Sequence, residues 1–173
     1  MTLYKEITSM PPTGRAAMVG FKLKNTVSRH GTVTRGICTA ENGLLKSITE
    51  TFKITVFPDG SIRDIEKNPE GTLLDPEALV SMNYWGFSPE IFKEAEEYLN
   101  RFLRNLSKDD LKSECLLPAF VDEQIKEGKL EVSMLSSNSK WFGMTNREDR
   151  ASVAADLKAL HDSGVYPARL WDK

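Results

Sequence analysis

The sequence is sparing in the side chains that announce a chemistry most directly. It holds two cysteines, Cys38 and Cys115, and two histidines, His30 and His161. The cysteines are isolated, with no CxxC spacing and no adjacent histidine, and read as buried free thiols rather than a disulfide or a metal site. Placed beside a turn and near a helix end, the histidines read as structural or solvated. There is no GxGxxG, no GKS or GKT loop, no HExxH and no GxSxG, so the strong signatures for nucleotides, zinc and acyl transfer are missing. No apolar run is long enough to cross a bilayer, and residues 1–6 lack the basic and apolar layout of a signal peptide; the expectation is a cytoplasmic protein with no membrane partner. With a net charge of -2 and no block of Lys and Arg interleaved with aromatics, no nucleic-acid partner is expected. Repeats and low-complexity segments are absent.

What is present is the composition of an ordinary folded chain. Its 173 residues are enough for one domain over 1–173 with a real core. The most informative stretch is 79–92. Residues 79–87 form a short apolar and aromatic run that reads as a buried strand, and Ser88 and Pro89 then suit the cap and first position of a helix. Strand ends of this kind hold ligands in α/β sheets. Asn83 is the polar exception in the run, and its amide needs partners in the fold or in a ligand.

Around this stretch the chain punctuates itself. Residues 1–10 read as the tail of a helix stopped at 11–14, and 15–24 as a strand. Residues 31–40 and 44–57 read as extended runs joined by Asn42-Gly43, which favours a tight hairpin because both residues tolerate positive φ. Asp59-Gly60 repeats that logic before a return strand over 61–66, and 67–77, with Pro69, Gly71 and Pro76, reads as a loop. From Ser88, the positions Ile91, Phe92, Ala95, Leu99, Phe102, Leu103 and Leu106 predict a helix packed by one stripe, with Glu97 and Arg101 as an i,i+4 pair. A second helix is predicted from near Ser113 to Gly128, with Leu117, Phe120, Val121 and Ile125 inside. Residues 129–136 predict a strand and 141–144 a short one. Thr145 and Glu148 have capping-box spacing ahead of a helix carrying Val153, Leu157 and Leu160 inward and ending at Gly164. Tyr166 and Trp171 in the tail are expected to dock back on the body. The fold class is α/β: a mixed sheet with an antiparallel hairpin arm and about three packed helices.

Among the polar residues, Glu94, Glu96 and Glu97 read as a solvated helix face, and Trp85 and Trp141 as core or rim packing. Glu50 is an odd choice for a strand flanked by Thr49 and Thr51; it reads either as an outward-facing strand residue or as a ligand contact.

Six segments taken in order, AMVGFKLKNT over 17–26, GTVTRGIC over 31–38, LKSITE over 45–50, VSMNYWGF over 80–87, KSECLLP over 112–118 and KWFGMT over 140–145, resemble the C-terminal half of bacterial sugar-phosphate nucleotidyltransferases. The resemblance spans nearly the whole chain and lies in order and spacing. It implies part of a nucleotide-diphospho-sugar transferase-like α/β fold, and transfer of a nucleoside monophosphate from an NTP to a sugar 1-phosphate with release of pyrophosphate. It implies sugar contacts at Gly31 and Glu50; Asn83, at the end of the central strand, would lie beside them, and Arg35, Lys53 or Lys140, near predicted strand ends, are candidate phosphate contacts. It assigns no catalytic residue. Mg²⁺ is the cofactor expected of the family, yet the matching segments begin after the family's Gly-rich triphosphate loop and metal-binding aspartate. Thr51 follows Glu50 where a basic residue is usual, and Gly143 stands where many relatives carry a second metal-binding aspartate. The expectation is therefore a sugar-side half, inactive alone, partnered by the N-terminal half or by a second copy. The alternative is a non-catalytic ligand-binding or protein-interaction module of the same descent.

Overall fold

The computed structural model describes residues 2–28, 31–143, 147, 149–167 and 169. By internal packing the chain divides into two compact units, Met1–Ser139 and Lys140–Lys173. The first unit holds α1 (Thr2–Ser9), β1 (Arg15–Lys22), a 3-10 turn (Leu23–Asn25), β2 (Val33–Glu41), β3 (Leu44–Val56), β4 (Ile62–Asp64), β5 (Thr72–Leu73), β6 (Leu79–Phe87), α2 (Ile91–Asn105), α3 (Leu117–Lys126) and β7 (Glu131–Ser137). The second unit holds α4 (Asp149–Asp162).

Strand β1 pairs antiparallel with β6 on one side and parallel with β7 on the other, which makes the sheet mixed. From β6 the pairing passes to β2, from β2 to β3, and from β3 back to β7. The five strands β2, β6, β1, β7 and β3 therefore close into a ring, where the resemblance implies part of a nucleotide-diphospho-sugar transferase-like fold. The closure is light: Leu44 and Ser133 are the one register pair between β3 and β7, joined by the Met134 N–H donating to the Gly43 carbonyl at 2.8 Å. Strands β4 and β5 continue from β3 outside the ring as the expected antiparallel arm. The β2–β3 hairpin turns at Asn42 and Gly43, whose φ values of 51° and 77° are the two positive dihedrals a tight hairpin turn demands.

β1 is buried on both faces, so its pattern is continuous rather than alternating. Ala16 and Met18 join Leu45, Ile91, Phe120, Val121, Leu130 and Val132 in the main core, which draws on all five ring strands and on α2 and α3. Ala17 and Val19 pack the other way, with Leu3 of α1. A third cluster of Leu23, Ile54, Ile62 and Val80 ties the arm and the 3-10 turn to the sheet. α1 lies so close over β6 that a Cβ on Gly86 would stand 2.5 Å from the Ile7 side chain.

Several local expectations shift by tertiary context. α2 begins at Ile91 with Glu90 as its cap residue, not at Ser88. The Ser88 carbonyl accepts the Ile91 N–H at 3.2 Å in the preceding turn, and the Ser88 hydroxyl is buried without a hydrogen-bond partner among the described residues. Arg101 pairs with Glu123 of α3 rather than with Glu97, because it sits on the flank of α2 that faces α3. Of the predicted inward stripe on α2, Ile91 is buried and Ala95 half-buried with Tyr98 alongside, while Phe92, Leu99 and Leu103 are exposed. α3 starts at Leu117, which is exposed, with Pro118 in its first turn. The 67–77 loop contains the two-residue strand β5, and 141–143 form no strand. Cys115 is exposed rather than buried, and both cysteines are free. In the second unit Val153 and Leu160 are half-buried, Leu157 is exposed, and the Tyr166 ring meets His161 edge-on at 5.5 Å. The predicted capping box at Thr145 and Glu148, and the docking of Trp171, fall outside the described residues.

Met18, fully buried where the ring meets the helices, is the side chain whose loss should be felt most widely. Met18→Ala is expected to lower unfolding stability by about 2–5 kcal/mol, through lost transfer energy and a residual cavity. Urea denaturation of the two proteins measures it, and a loss below about 1 kcal/mol would contradict the packing described here.

Candidate functional site

Three neighbouring strands bring together one group of polar side chains. Gly36 on β2 pairs in register with Glu50 on β3 and with Ser81 on β6. A Cβ at Gly36 would stand 2.6 Å from Ile48 Cγ2, 3.1 Å from Glu50 Oε1 and 3.5 Å from Ser81 Cβ. The φ of Gly36 is not in the left-handed region, so space rather than backbone conformation demands glycine. The gap it leaves lets the Glu50 carboxylate lie across β2.

Glu50 makes no hydrogen bond and no ion pair among the described residues. Partial burial raises its pKa above the usual carboxylate range, because the charged form loses hydration. Cys38, two residues on from Gly36, is half-buried, and its thiol donates to the Gly36 carbonyl at 3.5 Å. Burial pushes that thiol up to about 12; the negative charge of Glu50 adds to the rise, and a backbone hydrogen bond from Ser81 opposes it. A thiol held in this way is a packing group rather than a nucleophile.

Asn83 joins the group through β6. Its N–H donates to Ser81 Oγ at 3.2 Å, and its side-chain Oδ1 accepts from Trp85 Nε1 at 3.3 Å. Its φ of 55° sits where the β1–β6 register slips between Met18 and Gly20. Asparagine tolerates this left-handed bulge better than any apolar residue would, which answers the oddity of a polar residue in the strand. Its Nδ2–H groups are left for solvent or a ligand.

The other residues singled out from the sequence do not join this group. Gly31 is exposed, and a Cβ there would meet nothing within 4 Å, so no close approach requires glycine. Arg35 precedes Gly36 on β2 and so points to the opposite face. Its guanidinium donates to the Thr34 carbonyl at 2.7 Å and to the Thr26 carbonyl, and burial lowers its pKa. Lys53 is exposed further along β3. Lys140 belongs to the second unit, where it pairs with Asp156 and lies 5.5 Å from the Phe142 ring centre. Gly36, Cys38 and Ser81 escaped the sequence reading; the one available signal was a glycine inside a strand pattern.

No three His, Cys, Asp or Glu side chains are grouped to hold a metal among the described residues. Two surface cavities, about 290 Å³ between α2 and α3 and about 380 Å³ beside β4 and β5, lie away from Glu50. No described helix is long and apolar enough to cross a membrane. No protein-family model matches the chain, and no curated protein matches it.

Two measurements check this geometry. A carboxyl with a raised pKa holds its proton more tightly in the folded state, so it is neutral toward folding when protonated and opposes it once ionised. Glu50→Gln is therefore expected to raise the melting temperature at pH 7, with the difference shrinking away as pH falls to about 4; an equal displacement at both values would contradict the burial. In native buffer a thiol reagent is expected to modify Cys115 promptly and Cys38 only after unfolding. Equal native rates would mean that Cys38 is not held as described.

Proposed function

We propose that the first unit is a sugar-binding half of a sugar-phosphate nucleotidyltransferase. The observation that carries this reading is the half-buried Glu50 carboxylate, unpaired and lying across Gly36 in a gap made by a missing side chain. A carboxylate in that state can accept hydrogen bonds from two adjacent sugar hydroxyls, and the backbone beside a glycine allows a flat ring to approach. The Asn83 amide supplies donors next to it. Support also comes from the order of the six resembling segments, the first four of which fall on the ring strands β1, β2, β3 and β6.

On this reading the sheet corresponds to part of the family's α/β fold. The closure of the ring through the β3–β7 pair departs from that family's open sheet. Nucleotidyl transfer gathers negative charge on the α-phosphate and the leaving pyrophosphate, and it needs cations there. Arg35 is turned to the other face and Lys140 is engaged with Asp156, so the first unit binds a sugar 1-phosphate mainly by its hydroxyls. Turnover then requires a second element carrying the triphosphate site and the Mg²⁺ ligands. A second reading, the non-catalytic interaction module, is favoured by one observation, the exposed apolar stripe on α2.

The test is calorimetric titration of the full chain with a panel of sugar 1-phosphates and the matching free sugars, beside an assay of pyrophosphate release with NTPs and Mg²⁺. Binding is expected for at least one sugar, weakened about tenfold or more by Glu50→Gln and little changed by removing the phosphate, with no pyrophosphate released. No binding across the panel, or binding that the substitution leaves unchanged, would overturn the sugar site. Turnover abolished by the substitution would overturn the half-enzyme reading.

A further inference from the structure

α2 ends beside a cavity. Tyr98, Arg101, Phe102 and Asn105 follow one another along one stripe of the helix, and with Asp110 of the loop after it and Glu123 of α3 they line a space of about 290 Å³. That is at the lower end of the range that small-molecule sites occupy. Much of the wall is fixed by the fold. Tyr98 packs on the main core with its ring 5.3 Å from that of Phe120, and the Arg101 guanidinium lies over the Tyr98 ring while paired with Glu123.

The charge of this lining does not balance. Arg101 and Glu123 satisfy each other, which leaves the half-buried Asp110 carboxylate with no ion-pair partner among the described residues. Three donors hold it in place: the Ser113 hydroxyl at 2.5 Å, the Ser113 N–H at 2.9 Å and the Lys112 N–H at 3.1 Å. Those bonds favour the ionised form and lower its pKa below the usual carboxylate value. The loop around it carries Asp109, Asp110 and Glu114 against Lys108 and Lys112, and α2 finishes at Asn105, so the negative end of its dipole lies on the same side. On the α2 wall, the Tyr98 hydroxyl and the Asn105 amide make no hydrogen bond among the described residues. Burial, and then the neighbouring Cys115 and Glu123, raise the Tyr98 pKa and keep its O–H intact.

We propose that this cavity binds a small organic cation, a primary ammonium or guanidinium compound, with its charged head on Asp110 and its apolar body against Phe102 and Leu106. A neutral ligand leaves Asp110 uncompensated, and an anion meets it directly while finding Arg101 already engaged by Glu123. A bare metal ion uses the carboxylate and none of the aromatic wall; an organic cation uses both. The Tyr98 hydroxyl and the Asn105 amide then serve any further polar group on the ligand. A cavity of this size suits a free amine of a few carbons rather than a lysine side chain still carrying its peptide backbone. This inference stands apart from the sugar-site reading, since Glu50 takes no part in it.

The test is titration of the ¹⁵N-labelled full chain at pH 7 and low salt, followed by amide correlation spectra, which also report whether each variant is folded. The probes are butylammonium and butylguanidinium, beside 1-butanol, butyrate and Nα-acetyl-lysine methylamide. At least one of the two cations is expected to move the amides of residues 98–113 and Glu123 along a saturating curve, while butanol and butyrate leave them in place. Asp110→Asn, whose amide oxygen can still accept from the Lys112 and Ser113 N–H groups, is expected to weaken binding about tenfold, and Phe102→Leu about threefold. Cations that move nothing at these positions, a butanol affinity equal to that of the cation, or an affinity unchanged in a folded Asp110→Asn chain would each overturn the proposal. Tighter binding of the capped lysine than of butylammonium would overturn the assignment to a free amine.

Discussion

The fold depends on one strand being buried from both sides. β1 pairs antiparallel with β6 and parallel with β7, so it joins segments from near the start, the middle and the later part of the first unit into one sheet. Its small residues let elements approach closely: Ala16 and Ala17 are fully buried, one in the main core and the other under α1. β6 and β7 flank β1 on opposite edges, so the chain must cross over β1 between them, and α2 and α3 lie in that connection and cover the core. The ring and its helical cover are therefore two consequences of the same pairing.

The Glu50 site is a by-product of that closure. Once β6 is held by β1, its other edge meets β2 at Gly36 and Ile37, and β2 is clamped between β3 and β6. Gly36 then becomes the place where three strands leave room, and Glu50 occupies it. A carboxylate that is partly dehydrated and unpaired is an unfavourable thing to keep in a fold; a hydroxyl-rich ligand would supply the hydrogen bonds that the protein does not. By contrast, the neighbouring Cys38 thiol is quiet, its ionisation opposed both by burial and by the glutamate beside it.

α2 is anchored on one flank and exposed on another. Its inner face completes the core through Ile91 and Tyr98, and the Arg101 pair with Glu123 fixes it to α3. That anchoring leaves Phe92, Leu99 and Leu103 displayed on a rigid support rather than on a fraying segment.

Local chemistry was legible in the sequence. The β6 strand over Leu79–Phe87, the Asn42-Gly43 hairpin, the stop at Gly128 and the mixed α/β class all follow from short-range causes: alternation or continuity of apolar residues, tolerance of positive φ, and proline's missing donor. What the tertiary structure alone decided is which elements become neighbours. Gly31 and Gly36 are alike in sequence, five residues apart on one predicted run, and only the β3 and β6 partners make Gly36 the close approach. Asn83 is polar in an apolar strand because the β1–β6 register slips there, a fact that lies in the pairing rather than in either strand. Likewise α2 has apolar residues on more than one face, and nothing local says which of them the sheet covers. Periodicity fixes a side chain's direction relative to its own chain; only packing decides what it points at.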